Sequence, residues 1–89
     1  MISQTTEYAL RAAVFLAMNR HKAFSVHEIA VVTKVPAAYL SKVLQSLSKA
    51  DIVQSQRGAG GGFILAIAPE RISILDVVNA VDPIKNLPT

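Results

Sequence analysis

No cysteine occurs in the 89 residues. Disulfides, thiolate clusters and cysteine-based zinc sites are therefore excluded within this chain, and the redox compartment is left open. Charged residues are also scarce, 17% against 52% hydrophobic. That balance is too apolar for a disordered tail and fits a compact core with some apolar surface left for an oligomer face. A long hydrophobic run is missing too. The most apolar stretch, "YALRAAVFLAM", is broken by Arg11 and falls short of the roughly 20 residues that a membrane span needs. No basic region precedes it and no cleavage signal follows, so it is not a secretory signal, and a cytoplasmic protein is expected.

What remains is enough for one small domain, which must pack efficiently or borrow stability from a partner. Nine Lys and Arg against six Asp and Glu give a formal charge of +3, a mild tilt toward anionic partners. From about Thr5 to Asn19, helix formers with apolar positions around most of the circumference predict a buried helix, with Ser3, Thr5 and Thr6 as candidate caps. "NRHKAF" is expected to be a loop. Ser25 and Glu28 then form an S-x-x-E capping box at the start of a short helix whose apolar stripe is Ile29, Ala30 and Val32.

After a tight turn at "TKV", Pro36 is placed to begin a third helix, where its missing amide costs nothing. Leu40, Val43, Leu44 and Leu47 fall on one face of this helix, and Ala38, Ser41, Lys42, Gln45 and Lys49 fall on the other. Two β-type runs, "IVQSQR" and "FILAI", flank the glycine-rich "RGAGGGF" and predict a hairpin that Pro69 ends. Ser73 caps a last short helix, with Leu75, Val77, Val78 and Val81 as its apolar residues, Asp76 in its first turn and Pro83 as its stop. The expected fold is mainly α with a small β-hairpin (α+β), a winged helix-turn-helix.

A short helix, a tight turn and a helix with a small polar outer face suit a major groove. Lys42 can serve a guanine or a phosphate, Gln45 an adenine, and Ala38 a thymine methyl, while an ordinary solvated face is the plain alternative. The glycine segment fails two other patterns. A phosphate-binding loop needs G-K-[ST] after four spacers, and a dinucleotide fingerprint counted from Gly58 needs glycine where Phe63 stands. Either it is a flexible hairpin tip, or it is a wing whose backbone lies against phosphates with Arg57 aimed at a narrow minor groove. An enzyme is not expected. His27 and Glu28 begin an H-E-x-x-H motif that Val31 leaves incomplete, and the other carboxylates do not pair as acid and base. A winged helix that binds protein instead of DNA is the second alternative, but Lys34, Lys42, Lys49 and Arg57 lie on or beside the proposed DNA face.

"TTEYALRAAVFLA", "RGAGGGFILA" and "ISILDVVNAV", with the "IA", "YL" and "IV" pairs between them, resemble the winged-helix regulators of the IscR/NsrR family from Thr5 to about Pro83. The resemblance implies a bacterial transcription factor, usually a repressor, that binds a roughly palindromic operator as a homodimer. By position the family's backbone-contacting tyrosine corresponds to Tyr8 and its wing arginine to Arg57, and Thr5 and Thr6 are expected to join Tyr8 in contacting phosphates at the start of the first helix. Ala38, Ser41, Lys42 and Gln45 would face bases, and Arg57, Gly58, Gly60, Gly61 and Gly62 would form the minor-groove wing. For Tyr8, core packing and a hydroxyl contact are both open, since one tyrosine can do both.

The departures from the family pattern are also informative. Ser41 stands where many relatives carry a glutamate, Ile67 where a wing arginine is frequent, and Asp51 where glycine is common. Aspartate tolerates the left-handed conformation, so the turn at Asp51 is expected to survive. Relatives continue into a loop with three cluster-binding cysteines and a long dimerisation helix. The expectation is a DNA-binding domain at residues 1–83 and a tail at 84–89 that ends before those elements. No cofactor is expected in this chain, and the homodimer is expected to be weak.

Overall fold

A computed structural model describes residues 3–58 and 60–85. Four helices and one hairpin follow in the order α1 (Gln4–Met18), α2 (Val26–Thr33), α3 (Ala37–Lys49), β1 (Val53–Gln56), β2 (Gly62–Leu65) and α4 (Ile74–Lys85), with a single 3-10 turn at Pro69–Arg71. This is the winged helix-turn-helix arrangement that the periodicities predict.

Three of the helices begin on a serine. At α1 it is Ser3, whose Oγ accepts from the Thr6 amide. At α2 the Ser25 and Glu28 capping box is complete in both directions. At α4 the Asp76 amide donates to Ser73 Oγ and the Ser73 amide to the Asp76 carboxylate, at 3.0 and 2.9 Å. These bonds satisfy amides that a helix start otherwise leaves to water. Helix α3 differs: its N-cap is Pro36, which offers no side-chain bond.

The other end of α3 closes as a Schellman motif. Asp51 takes a left-handed φ of 61°, its amide bonds the Ser48 carbonyl, and the Ile52 amide bonds that of Leu47. Ile52 and Leu47 are both buried beneath it, the apolar pairing that accompanies this cap. Aspartate thus does there what glycine more often does.

The core is continuous. Ala9, Ala12 and Leu16 of α1, Ile29 of α2, the full Leu40, Val43, Leu44 and Leu47 stripe of α3, Val53 and Leu65 of the hairpin, and Val77 and Val81 of α4 pack together. Alanines along the buried side of α1 let its neighbours approach closely, since the helix carries little side-chain bulk there. The strands pair antiparallel with Val53 opposite Leu65 and Gln56 opposite Gly62. That register puts the two buried residues on the core face, as period-two alternation requires.

Several expectations fail. Val32 and Leu75, assigned to apolar stripes, are 59% and 64% exposed, because among the described residues no element lies over the helix faces that carry them. Helix α4 does not stop at Pro83 but runs to Lys85; proline lacks an amide to donate, yet its φ is helical and its carbonyl still accepts. The tail at 86–89 lies outside the described residues. "NRHKAF" is not wholly loop, since Phe24 forms a β-bridge with Phe63.

Candidate nucleic-acid interface

The apolar stripe of α3 is fully buried, so its opposite side must face outward. Ala38, Lys42, Gln45 and Lys49 are exposed there and Ser41 is half-buried. These residues lie at helical spacings of four, three and four, a single ridge of short or flexible side chains. The preceding turn adds a cation. Lys34 caps α2 in the left-handed conformation, φ 61° and ψ 35°, exposed beside a buried Val35. This is a strained position for a non-glycine residue.

The wing is joined to the helix-turn-helix by a third strand-like segment. The Phe24 amide donates to the Phe63 carbonyl at 3.0 Å, and the Phe63 amide to the Phe24 carbonyl at 2.7 Å. Gly62 makes that approach fit. Its φ is 146°, and a Cβ there would stand 2.7 Å from the Ser25 nitrogen and closer still to the Phe24 carbonyl. Gly58 and Gly60, toward the tip, have open space where a Cβ would be, though both have positive φ. The glycine run therefore holds two requirements, close packing at the root and left-handed turning at the tip. Arg57 is exposed where β1 enters this turn.

The start of α1 supplies a second cluster. Tyr8 and Tyr39 meet edge to face, with ring centroids 5.4 Å apart, an arrangement that places one ring's positive edge on the other's negative face. The Gln4 side-chain amide donates to the Tyr8 hydroxyl at 2.7 Å, and the Thr5 and Tyr39 hydroxyls share a hydrogen bond. Both expected roles of Tyr8 are thus sterically open: its ring packs on the core and its hydroxyl, bonded to Gln4, lies at the surface.

Thr5 and Thr6 lie deeper than Tyr8. They are 5% and 4% exposed. The Thr5 hydroxyl is engaged by Tyr39 and that of Thr6 accepts from Ser3, so these hydroxyls are turned into the protein.

Two residues escaped the sequence reading. Phe24 precedes the Ser25 cap, the position of a hydrophobic staple, and that signal was available. Tyr39 falls between the stripe and the outer face of α3, where helical spacing assigns it no partner. Glu28 closes the capping box from the other side, its carboxylate accepting from the Ser25 amide. The Ser25 backbone amide lowers its pKa first, and Lys22 adds to this; Lys22 Nζ lies 3.8 Å from the carboxylate.

Among the described residues no group of three or more His, Asp or Glu side chains is placed to hold a metal. No described helix is long and apolar enough to cross a membrane.

Comparison with known proteins agrees with this geometry. The chain is 45% identical over 78 residues to a candidate HTH-type transcriptional regulator of Aquifex aeolicus, covering 88% of this chain and 54% of that one. It is 33% identical over 82 residues to the HTH-type transcriptional regulator NsrR of Shouchella clausii, covering 91% of this chain and 55% of the relative. Thus it spans about half the length of these curated relatives. Among solved structures, T. potens IscR superposes with a TM-score of 0.89 at 29% identity, covering all of this chain and 66% of that one. CymR of B. subtilis, the global cysteine regulator, superposes with a TM-score of 0.86 at 28% identity, over 100% of this chain and 70% of that one. The named relatives are regulators rather than enzymes.

Residues 2–88 match the Rrf2 family, described as "Iron-dependent Transcriptional regulator". The iron in that description finds no fit in these residues, which include no cysteine. By match and by fold, the chain belongs to the Rrf2 family of winged helix-turn-helix transcriptional regulators.

Proposed function

We propose that residues 1–83 form a sequence-specific DNA-binding domain that acts as a repressor, with α3 in the major groove and the hairpin in the adjacent minor groove. The observation that carries this reading is the exposed ridge of Ala38, Lys42, Gln45 and Lys49 on a helix whose other face is fully buried. A rigid helix presenting short and flexible polar side chains matches what base edges accept. Ser41, half-buried, borders the ridge and reads bases from its edge.

Arg57 and the backbone of Gly58, Gly60, Gly61 and Gly62 form the wing, and the Tyr8 hydroxyl serves a phosphate. With Gln4 donating to that hydroxyl's oxygen, its proton is left to donate. Thr5 and Thr6 support the helix start from inside. The protein works as a homodimer on a roughly palindromic operator in the cytoplasm, and exposed Val14, Ile74 and Leu75 give it apolar surface for a second copy. Within these residues the homodimer is weak, which sedimentation at low concentration tests; a tight dimer there contradicts it. No cofactor is assigned to this chain.

The test is selection of bound duplexes from a random pool, followed by a salt titration. Affinity should fall steeply with salt, as counterion release requires. Arg57→Ala should weaken binding to the selected duplex by about 1–3 kcal/mol. Unchanged affinity would remove Arg57 from the interface. Absence of duplex binding by the native protein would leave the protein-interaction alternative.

A further inference from the structure

Three helices start on a serine cap, but the helix with the candidate base-reading ridge does not. The first-turn residues Ala37 and Ala38 are exposed, and Pro36 contributes no side-chain bond. Something other than local capping must set the seat of this turn. Tyr39 lies in it and is half-buried, its ring against Tyr8. Its hydroxyl bonds that of Thr5, 34 residues away in sequence. Among the described residues this is the one side-chain to side-chain hydrogen bond that joins two different helices. Thr5 is itself nearly inaccessible, so its hydroxyl has little water to turn to if Tyr39 withdraws, and an unmet buried hydroxyl is costly.

We propose that Tyr39 is a positioning residue for DNA recognition. Its bond to Thr5 clamps the first turn of α3 to the start of α1 and so sets where Ala38 and Lys42 meet base edges. Ala38 precedes Tyr39 directly and Lys42 follows one turn later. A small rotation of this turn therefore moves both. Phosphate contacts tolerate such a shift because they are spread along the backbone, whereas base contacts depend on fixed donor and acceptor geometry. The clamp thus acts on discrimination more than on overall affinity. The inference rests on the DNA-binding reading above.

The test compares the intact native protein with Tyr39→Phe, Thr5→Val, Thr5→Ser and the double variant Tyr39→Phe/Thr5→Val. Each is titrated against a duplex selected by the native protein and against a scrambled duplex of equal length. Circular dichroism and thermal melting establish the folded fraction. Tyr39→Phe keeps the ring and removes only the hydroxyl. It should lower the selected-to-scrambled affinity ratio by roughly tenfold while leaving the salt slope unchanged. Thr5→Val should do the same, Thr5→Ser should retain most of the native ratio, and the double variant should be no worse than either single change.

A merely structural role would lower the active fraction and weaken both duplexes equally, leaving the ratio intact. That result, or additive losses in the double variant, would overturn the proposal. If Tyr39→Phe does not fold, the contrast between Thr5→Val and Thr5→Ser decides it by the same ratio. A native protein that binds no duplex would sink the DNA-binding reading and this inference with it. A native protein that discriminates, with folded variants that discriminate equally well, would sink this inference alone.

Discussion

The amides at the start of α2 are satisfied within four residues of chain, by Ser25 and Glu28. Those at the start of α3 have only Pro36 before them and no side-chain acceptor. The first helix is defined by its own sequence. The second, which carries the proposed reading face, is placed by what it packs against: its Leu40 enters the shared core and its Tyr39 meets Thr5 and Tyr8 of α1. The division leaves the tip of α3 without a side-chain cap. It also makes the position of that helix depend on remote residues.

The largest effect should come from removing the tertiary hold on α3. Leu40 is fully buried in the first turns of α3, and Leu40→Ala should cost about 2–5 kcal/mol of stability, measured by urea unfolding. A cost well below that range would mean that local propensity holds α3 after all. Next is Gly62→Ala, which tests the joint between the wing and the segment leading into α2. The left-handed backbone alone should cost about 1–3 kcal/mol, and the predicted clash with Phe24 should additionally loosen the Phe24 and Phe63 amides, seen as faster hydrogen exchange. Protection unchanged at both amides would show that the bridge does not depend on this glycine.

Smaller again is the local side of the comparison. Ser25→Ala removes one cap bond and should cost about 1 kcal/mol, with α2 fraying before α3 in amide exchange. Smallest is the acid response of Glu28. Its lowered pKa means that its contribution is complete above the ordinary glutamate range, near pH 4.3, and is lost as pH falls through the lower folded value. Because the carboxylate is exposed, the effect should be slight and should appear as an added loss of α2 protection in acid. Glu28→Gln should remove that part of the pH dependence. If acid unfolding of α2 is identical in the variant, the carboxylate contributes nothing there.

The legible parts of the molecule are those that short-range chemistry decides. Ser25 with Glu28, Ser73 with Asp76, and the left-handed turn at Asp51 all form within a few residues. The α3 stripe was equally plain because four large aliphatics at helical spacing have one economical use. The failures share a different cause. Val32 and Leu75 sit at positions a helical wheel calls apolar, but no periodicity says whether another element arrives to cover them. Thr5, expected at the surface of a helix start, is engaged by Tyr39, 34 residues away in sequence. At Pro83 the stop signal was real for the amide but insufficient to end the helix.

The glycine segment shows where that boundary lies. From the sequence alone, "RGAGGGF" had to be a turn of unusual backbone freedom between two strands, because four glycines in five positions serve neither a helix nor a strand interior. The sequence by itself likewise determined the caps, the helix periods and the absence of cysteine ligands, all of which depend on nearby residues or on composition. Only the tertiary structure decided that Gly62 lies against the Phe24 backbone, that Thr5 turns inward to Tyr39, and that α3 is seated without a cap. These depend on which distant segments come within hydrogen-bond reach, and that distance is set by the packing of the whole core.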